Sequence, residues 1–135
     1  MKWGVIGAIF VGSAIGAVFR YGMAGFVGGQ VSWFPLVTFA VNGVGSFALG
    51  WVRSFAVSRD RPLSPWMVEG VCVGLLGGLT TMSTFAAELW QLFHGFSLWI
   101  PGLYLTLSLG GGLGLAWCGW RCGHWWGTRH TRGTG

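Results

Sequence analysis

The chain alternates long apolar stretches with short polar breaks. No charged residue stands between Lys2 and Arg20, between Arg20 and Arg53, between Glu69 and Glu88, or between Glu88 and Arg121. About 20 predominantly apolar residues in a helix cross a bilayer core. The pattern therefore predicts four membrane-spanning helices over residues 3–26, 35–57, 65–93 and 98–121, followed by a polar C-terminal tail over 122–135. The connections "VGGQVSW", "SRDRPLS" and "HGFS" are short and hold turn residues. The fold class is an all-α integral membrane protein, with a single four-helix membrane domain over residues 1–135. Lys2 before an apolar run has the look of a signal peptide, but Arg20 and three further spans argue against that.

Inside the third span, residues 77–88 read "GGLTTMSTFAAE". Two glycines open the stretch, and Thr80, Thr81, Ser83 and Thr84 crowd behind them. Glycine pairs favour breaks in membrane helices, and Ser and Thr hydroxyls can satisfy the freed backbone groups. We read two half-helices interrupted around residues 77–83, against the alternative of a continuous helix whose hydroxyls bond back one turn. A break exposes carbonyls at the end of the first half, which suit a cation, and amides and hydroxyls at the start of the second, which suit an anion.

Polar residues recur at helical spacing in the other spans. Gly12, Gly16 and Arg20 share one face of the first. They predict a tight helix contact beside a buried or vestibular cation, or an arginine that snorkels to the interface. Thr38, Asn42, Ser46 and Gly50 form one stripe on the second, which is either an interhelical hydrogen bond through Asn42 or a lined path. Tyr104, Ser108 and Gly112 form a row on the fourth, with Thr106, Gly110 and Gly114 beside it. Glu69 and Glu88 would lie about 28 Å apart on an unbroken third helix. They are two interfacial carboxylates, or Glu88 guards an entry or carries a proton.

Composition sharpens the class. Hydrophobic residues make up 53% and charged residues 8%, against about 25% charged in soluble domains. The 26 glycines lie among Leu, Val, Phe and Trp and read as close helix packing rather than disorder. Trp33, Trp51, Trp66, Trp99, Trp120, Trp125 and Trp126 lie near span ends, as interfacial anchors do. The net charge of +5 would point to nucleic acid in a soluble chain. Here the basic residues flank spans, so no nucleic-acid partner is expected. Lys2, Arg53, Arg59, Arg61, Arg121, Arg129 and Arg132 all fall on one side, and the other two connections hold no Lys or Arg. The positive-inside rule places both termini in the cytoplasm. Cys72, Cys118 and Cys122 read as unpaired thiols, because the pair near His124 has no second pair of ligands to complete a metal site.

Three stretches carry a family resemblance. "GAVFRYG", "TFAVNGVGSFALG" and "GLLGGLTTMSTFAAE" resemble the first-helix arginine motif, the second-helix asparagine motif and the third-helix signature of the Fluc (CrcB) fluoride channels, and the resemblance spans nearly the whole chain. It implies an antiparallel, inverted-topology dimer enclosing two narrow fluoride pores in a bacterial or archaeal plasma membrane. It implies a structural sodium ion held by the backbone carbonyls of Gly77 and Thr80. By the same resemblance, Asn42 donates to fluoride and Phe85 turns a ring edge to it. Ser83, Thr84, Thr38, Tyr104 and Ser108 then match polar pore positions, Arg20 the vestibule, and Glu88 a carboxylate near one pore mouth. Met82 departs from the family, which carries phenylalanine there. The pore served by position 82 therefore lacks a ring edge, although a thioether fills the space.

The function expected is passive, fluoride-selective export, not enzyme chemistry. The alternatives are a small proton-coupled multidrug-type exporter, which would need a carboxylate in the first span, and a non-conducting partner subunit of a heterodimeric channel. The seven-to-one distribution of basic residues favours insertion in one orientation. It therefore predicts a heterodimer with an oppositely oriented homologue, the alternative being a homodimer that tolerates the bias.

Overall fold

The computed structural model describes residues 2–26, 34–58 and 63–132, and every element in them is helical. The "VGGQVSW" connection, with Trp33, and the Arg59 and Arg61 part of "SRDRPLS" lie outside these residues. The first span is α1 (Lys2–Phe26) and the second is α2 (Leu36–Val57). The second begins just after Pro35, whose ring cannot extend a helix backwards. The third span is composite. It contains α3 (Pro65–Glu69), a π-helical stretch (Gly70–Leu75), α4 (Leu76–Leu79) and α5 (Met82–Gly95). Between α4 and α5 the backbone is extended, with φ −73°, ψ 154° at Thr80 and φ −143°, ψ 127° at Thr81. The break expected in residues 77–83 is thus confined to two threonines. The fourth span is α6 (Trp99–Arg132), which runs on past Arg121, so the expected tail starts in helical form. Four helical stretches are long and apolar enough to cross a membrane.

Glycines set the packing. Added to Gly12, a Cβ would collide with the Gly70 carbonyl, and added to Gly16 it would collide with the Leu75 carbonyl. In return, Gly74 and Gly78 lie against the backbone of Ile9 and Ser13. The glycine groove on α1 therefore seats the first half of the third span at backbone contact. On the other side of the molecule, Gly50 of α2 faces the Ala116 carbonyl, while Gly119 and Gly123 of α6 face the Phe47 and Trp51 carbonyls. Helices in lipid gain little from burying apolar surface, so close backbone approach and dispersion carry their association. A single ion pair among the described residues, Arg53–Glu69 at 3.0 Å, ties the end of α2 to α3. It is partly exposed, with 43% and 29% of the side chains accessible, and such pairs contribute little.

Where the π-helical stretch widens, Gly70 and Gly74 press on Ala8 and Ile9 of α1. Among the described residues one compact hydrophobic cluster gathers Phe34, Phe85, Leu92 and Tyr104, where α5 crosses α6. Elsewhere the outside is apolar, with Phe10 76%, Leu113 75% and Trp90 67% exposed. A soluble monomer does not show so much contiguous apolar surface, whereas a surface facing lipid does.

The groove gives a prediction. Gly16→Ala forces a methyl into the Leu75 carbonyl and should cost about 1–3 kcal/mol by overpacking. Gly22→Ala, in open space, should leave stability unchanged. Thermal unfolding of the two variants in detergent compares them directly, and equal midpoints would contradict the packing described.

Candidate functional site

The site is built on the two-residue break. Thr81 is extended, so its N–H and C=O leave the helical ladder and need other partners. Asn42, on the facing turn of α2, supplies both. Its Oδ1 accepts from the Thr81 amide at 2.8 Å, and its Nδ2 donates to the Thr81 carbonyl at 3.0 Å. This reciprocal pair fixes the orientation of the amide. It also uses only one of the two Nδ2 hydrogens, and the second has no acceptor among the described residues. The Thr81 hydroxyl accepts from the Thr84 amide at 3.1 Å and so caps α5. It also lies 3.2 Å from the Ser83 hydroxyl and 3.1 Å from the Thr84 hydroxyl.

Two consequences follow for the groups around the break. In a continuous helix the Gly77 carbonyl would accept from the Thr81 amide, but that amide is donated to Asn42. Among the described residues the carbonyls of Gly77, Gly78, Leu79 and Thr80 therefore accept no hydrogen bond, whereas the Leu76 carbonyl takes both the amide and the hydroxyl of Thr80 at 2.9 Å. The amides of Met82 and Ser83 likewise find no acceptor there. They open α5 with the positive end of its dipole. Carbonyl oxygens, the donor type that a hard cation takes, thus face one way, and free N–H groups face the other.

Three cavities meet at the Asn42–Thr81 pair. A small one, about 80 Å³, lies between Asn42, Met82, Phe85 and Ser108. A second, about 570 Å³, runs from Arg20 and Tyr21 past Thr38 to Thr81 and Thr84. The third, about 310 Å³, lies between Gly45, Ser46, Cys72, Gly77, Thr80 and Met82. The second helix stripe is thereby divided in use. Thr38 turns to Glu88, Asn42 to the break, Ser46 lines the third cavity, and Gly50 packs on α6.

Glu88 is held from two sides. Thr38 donates to its Oε1 at 2.6 Å and Tyr104 to its Oε2 at 2.8 Å. Both donors are buried, Tyr104 completely. The phenol ring is fixed by Phe34, edge-on at 5.3 Å, and by Phe85 at 5.1 Å between centroids. The carboxylate is therefore a crosspiece between α2 and α6 as well as a charge near the cavity that holds Thr38. Arg20 is half-buried and meets no carboxylate among the described residues.

Most of the residues singled out in the sequence do converge. Asn42, Met82, Phe85 and Ser108 share one cavity, Arg20, Thr38 and Thr84 share another, and Gly77 and Thr80 share the third. Ser83 is exposed at the start of α5, and Tyr104 reaches the site through Glu88. Met82 is 70% exposed, whereas Phe85 three residues later is 4% exposed. Sequence reading missed the role of Thr81, which is both helix cap and partner of Asn42. The T-x-x-T spacing of Thr81 and Thr84 before the last half-helix was the signal available. It also missed Phe34, whose span-edge position carries no pattern, and Gly45, which lies against the methyl of Thr80.

A family model described as CrcB-like protein, Camphor Resistance (CrcB), matches residues 7–120. A protein of Renibacterium salmoninarum named "Fluoride-specific ion channel FluC" is 42% identical over 124 residues, covering 82% of this chain and 94% of that protein. One of the same name from Geotalea daltonii is 38% identical over 114 residues, covering 82% and 91%. The "Fluoride-specific ion channel FluC 2" of Geobacillus kaustophilus is 34% identical over 114 residues, covering 84% and 88%. The match runs from the glycine groove of α1 through the break and into α6, and the chain belongs to the CrcB family.

Proposed function

We propose that the chain is a fluoride-selective channel that lets fluoride leave the cell passively across the plasma membrane. The observation that carries this is the Asn42–Thr81 pair, which leaves one Asn42 N–H and the first amides of α5 without an acceptor among the described residues, beside a narrow, aromatic-walled space. Fluoride is small and strongly hydrated, so a pore must replace its water with N–H and O–H donors. Asn42 and the hydroxyls of Ser83, Thr84 and Ser108 supply donors without a full positive charge. Among the described residues the Ser108 hydroxyl is buried and meets no acceptor or donor within hydrogen-bond geometry. Phe85 lines the same space, and the positive edge of a phenyl ring tolerates an anion. Arg20 lines the wider cavity and attracts anions from the aqueous side, while Glu88, held by Thr38 and Tyr104, sets a negative charge beside the same cavity. The names of the relatives support the same ion. A proton-coupled exporter is not favoured, because the first span carries Arg20 and no carboxylate.

A structural sodium fits the break. Among the described residues no donor meets the Gly77 and Thr80 carbonyls, and no side chain crowds Gly77. Two such oxygens do not complete a sodium shell. A second, antiparallel copy laid against the same face would bring two more, and this supports an inverted dimer with the ion on its axis. Sodium there would hold the two breaks together and offset the carbonyl dipoles. The seven-to-one bias in basic residues supports a heterodimer in which the partner inserts the other way.

Three outcomes are expected. Asn42→Asp keeps the acceptor for the Thr81 amide but sets a carboxylate oxygen against the Thr81 carbonyl and toward the anion. Fluoride efflux from liposomes should fall by more than about 100-fold, since like-charge contacts cost several kcal/mol. Normal flux in a folded variant would sink the pore assignment. For the sodium site, Thr80→Val removes only the hydroxyl bond to Leu76, about 1 kcal/mol. It should retain the ion, while replacing sodium by a bulky organic cation should weaken assembly or conduction. If neither assembly nor conduction responds and no density lies on the dimer axis, the site is wrong. For orientation, a cysteine placed in residues 27–33 should be labelled from outside intact cells in nearly all copies, and labelling of about half would establish dual topology instead.

A further inference from the structure

The end of α6 carries a pattern that ion conduction does not use. Trp117, Arg121, Trp125 and Arg129 follow one another every four residues and are all exposed. Gly119, Gly123 and Gly127 alternate with them on the opposite face and are all buried against α2. One side of the helix is thus given to packing, and the other presents a ladder of indole and guanidinium groups. The guanidinium of Arg129 lies 3.6 Å from the Trp125 ring centre, and that of Arg121 lies 5.0 Å from the Trp117 ring centre. A guanidinium placed over a ring uses few of its five N–H donors, which stay available to an acceptor outside the helix. Among the described residues no carboxylate pairs with either arginine.

Depth in the membrane selects the occupant. The 34 residues of α6 extend about 51 Å, whereas a hydrocarbon core is about 30 Å thick. A helix entering near Trp99 leaves the core close to Arg121, so Trp117 and Arg121 lie at the boundary of core and headgroups and Trp125 and Arg129 follow on its aqueous side. Indoles settle in the headgroup layer, and guanidinium edges there meet phosphate oxygens, which they bind in bidentate fashion. A protein partner would have to displace lipid from a face bounded by exposed Trp120 and Trp126.

We propose that Trp117, Arg121, Trp125 and Arg129 form a binding surface for the phosphate groups of anionic phospholipids, in the leaflet through which α6 emerges. The surface is independent of the ion carried. It anchors the α2–α6 pair, because Trp126 also packs edge-on against Trp51 at 6.4 Å and His124 Nδ1 lies 2.8 Å from the Ser58 hydroxyl.

The test uses the full chain in phosphatidylcholine bilayers. Brominated phosphatidylglycerol or brominated phosphatidylcholine is titrated in, because bromine quenches tryptophan on contact. The signal of Trp125 is isolated by difference against Trp125→Phe. The anionic lipid should half-quench it at a mole fraction several-fold lower than the zwitterionic lipid, and added salt should reduce that preference. Arg121→Gln/Arg129→Gln should abolish the preference. Arg121→Lys/Arg129→Lys, which keeps charge but not the stacked fork, should retain part of it. Equal quenching by the two lipids would overturn the proposal. So would an undiminished preference in the glutamine variant, or protection of Trp125 from both lipids, which would put protein on this face.

Discussion

The structure turns on one carboxamide. By taking both the amide and the carbonyl of Thr81, Asn42 stabilises two extended residues inside a membrane, where unpaired backbone groups would cost several kcal/mol each. Everything chemically useful follows from that exchange. Among the described residues the Gly77 carbonyl is left without a donor because its helical one is spent on Asn42, and the first amides of α5 find no acceptor because the chain is extended just before it. An aspartate in its place could accept from the amide but not donate to the carbonyl, and an aliphatic side chain could do neither. The residue that gives the site its donors is thus also the one that holds the site open.

The glycine contacts make this possible. Backbone approach between α1 and the first half of the third span, and between α2 and α6, fixes where α2 stands relative to the break without spending any polar group. That frees Thr38, Asn42 and Ser46 to face cavities. Glu88 then joins α2 to α6 through two short hydrogen bonds from buried hydroxyls, which sets the aromatic cluster around Phe85. Packing is carried by residues without side chains, and chemistry by the few polar ones.

How much of this could be read in the sequence depended on how local the cause was. The four spans were legible because charge is absent over long windows, and the break because Gly77 and Gly78 precede a run of hydroxyls. The groove of Gly12 and Gly16 was legible as spacing, although its partner face was not. The Asn42 pair was half legible. The stripe marked Asn42 as polar among apolar neighbours, but nothing in a linear sequence says that its partner is the backbone of a residue 39 positions away. The π-helical turn left no trace, since it reflects how Gly70 and Gly74 fit α1 rather than any local preference. The helical run of α6 past Arg121 was not legible, because the first charge ends the apolar window, whereas the helix continues on glycine contacts to α2.

The central claim is that the break passes fluoride down its own gradient. The most direct measurement is anion release from liposomes containing the full chain, followed with fluoride- and chloride-sensitive electrodes, with a potassium ionophore to carry counter-charge and no proton gradient imposed. The account predicts rapid fluoride release, chloride retained, and no change when a proton gradient is added. Fluoride held inside the liposomes, chloride leaving as readily, or release that requires a proton gradient would contradict it.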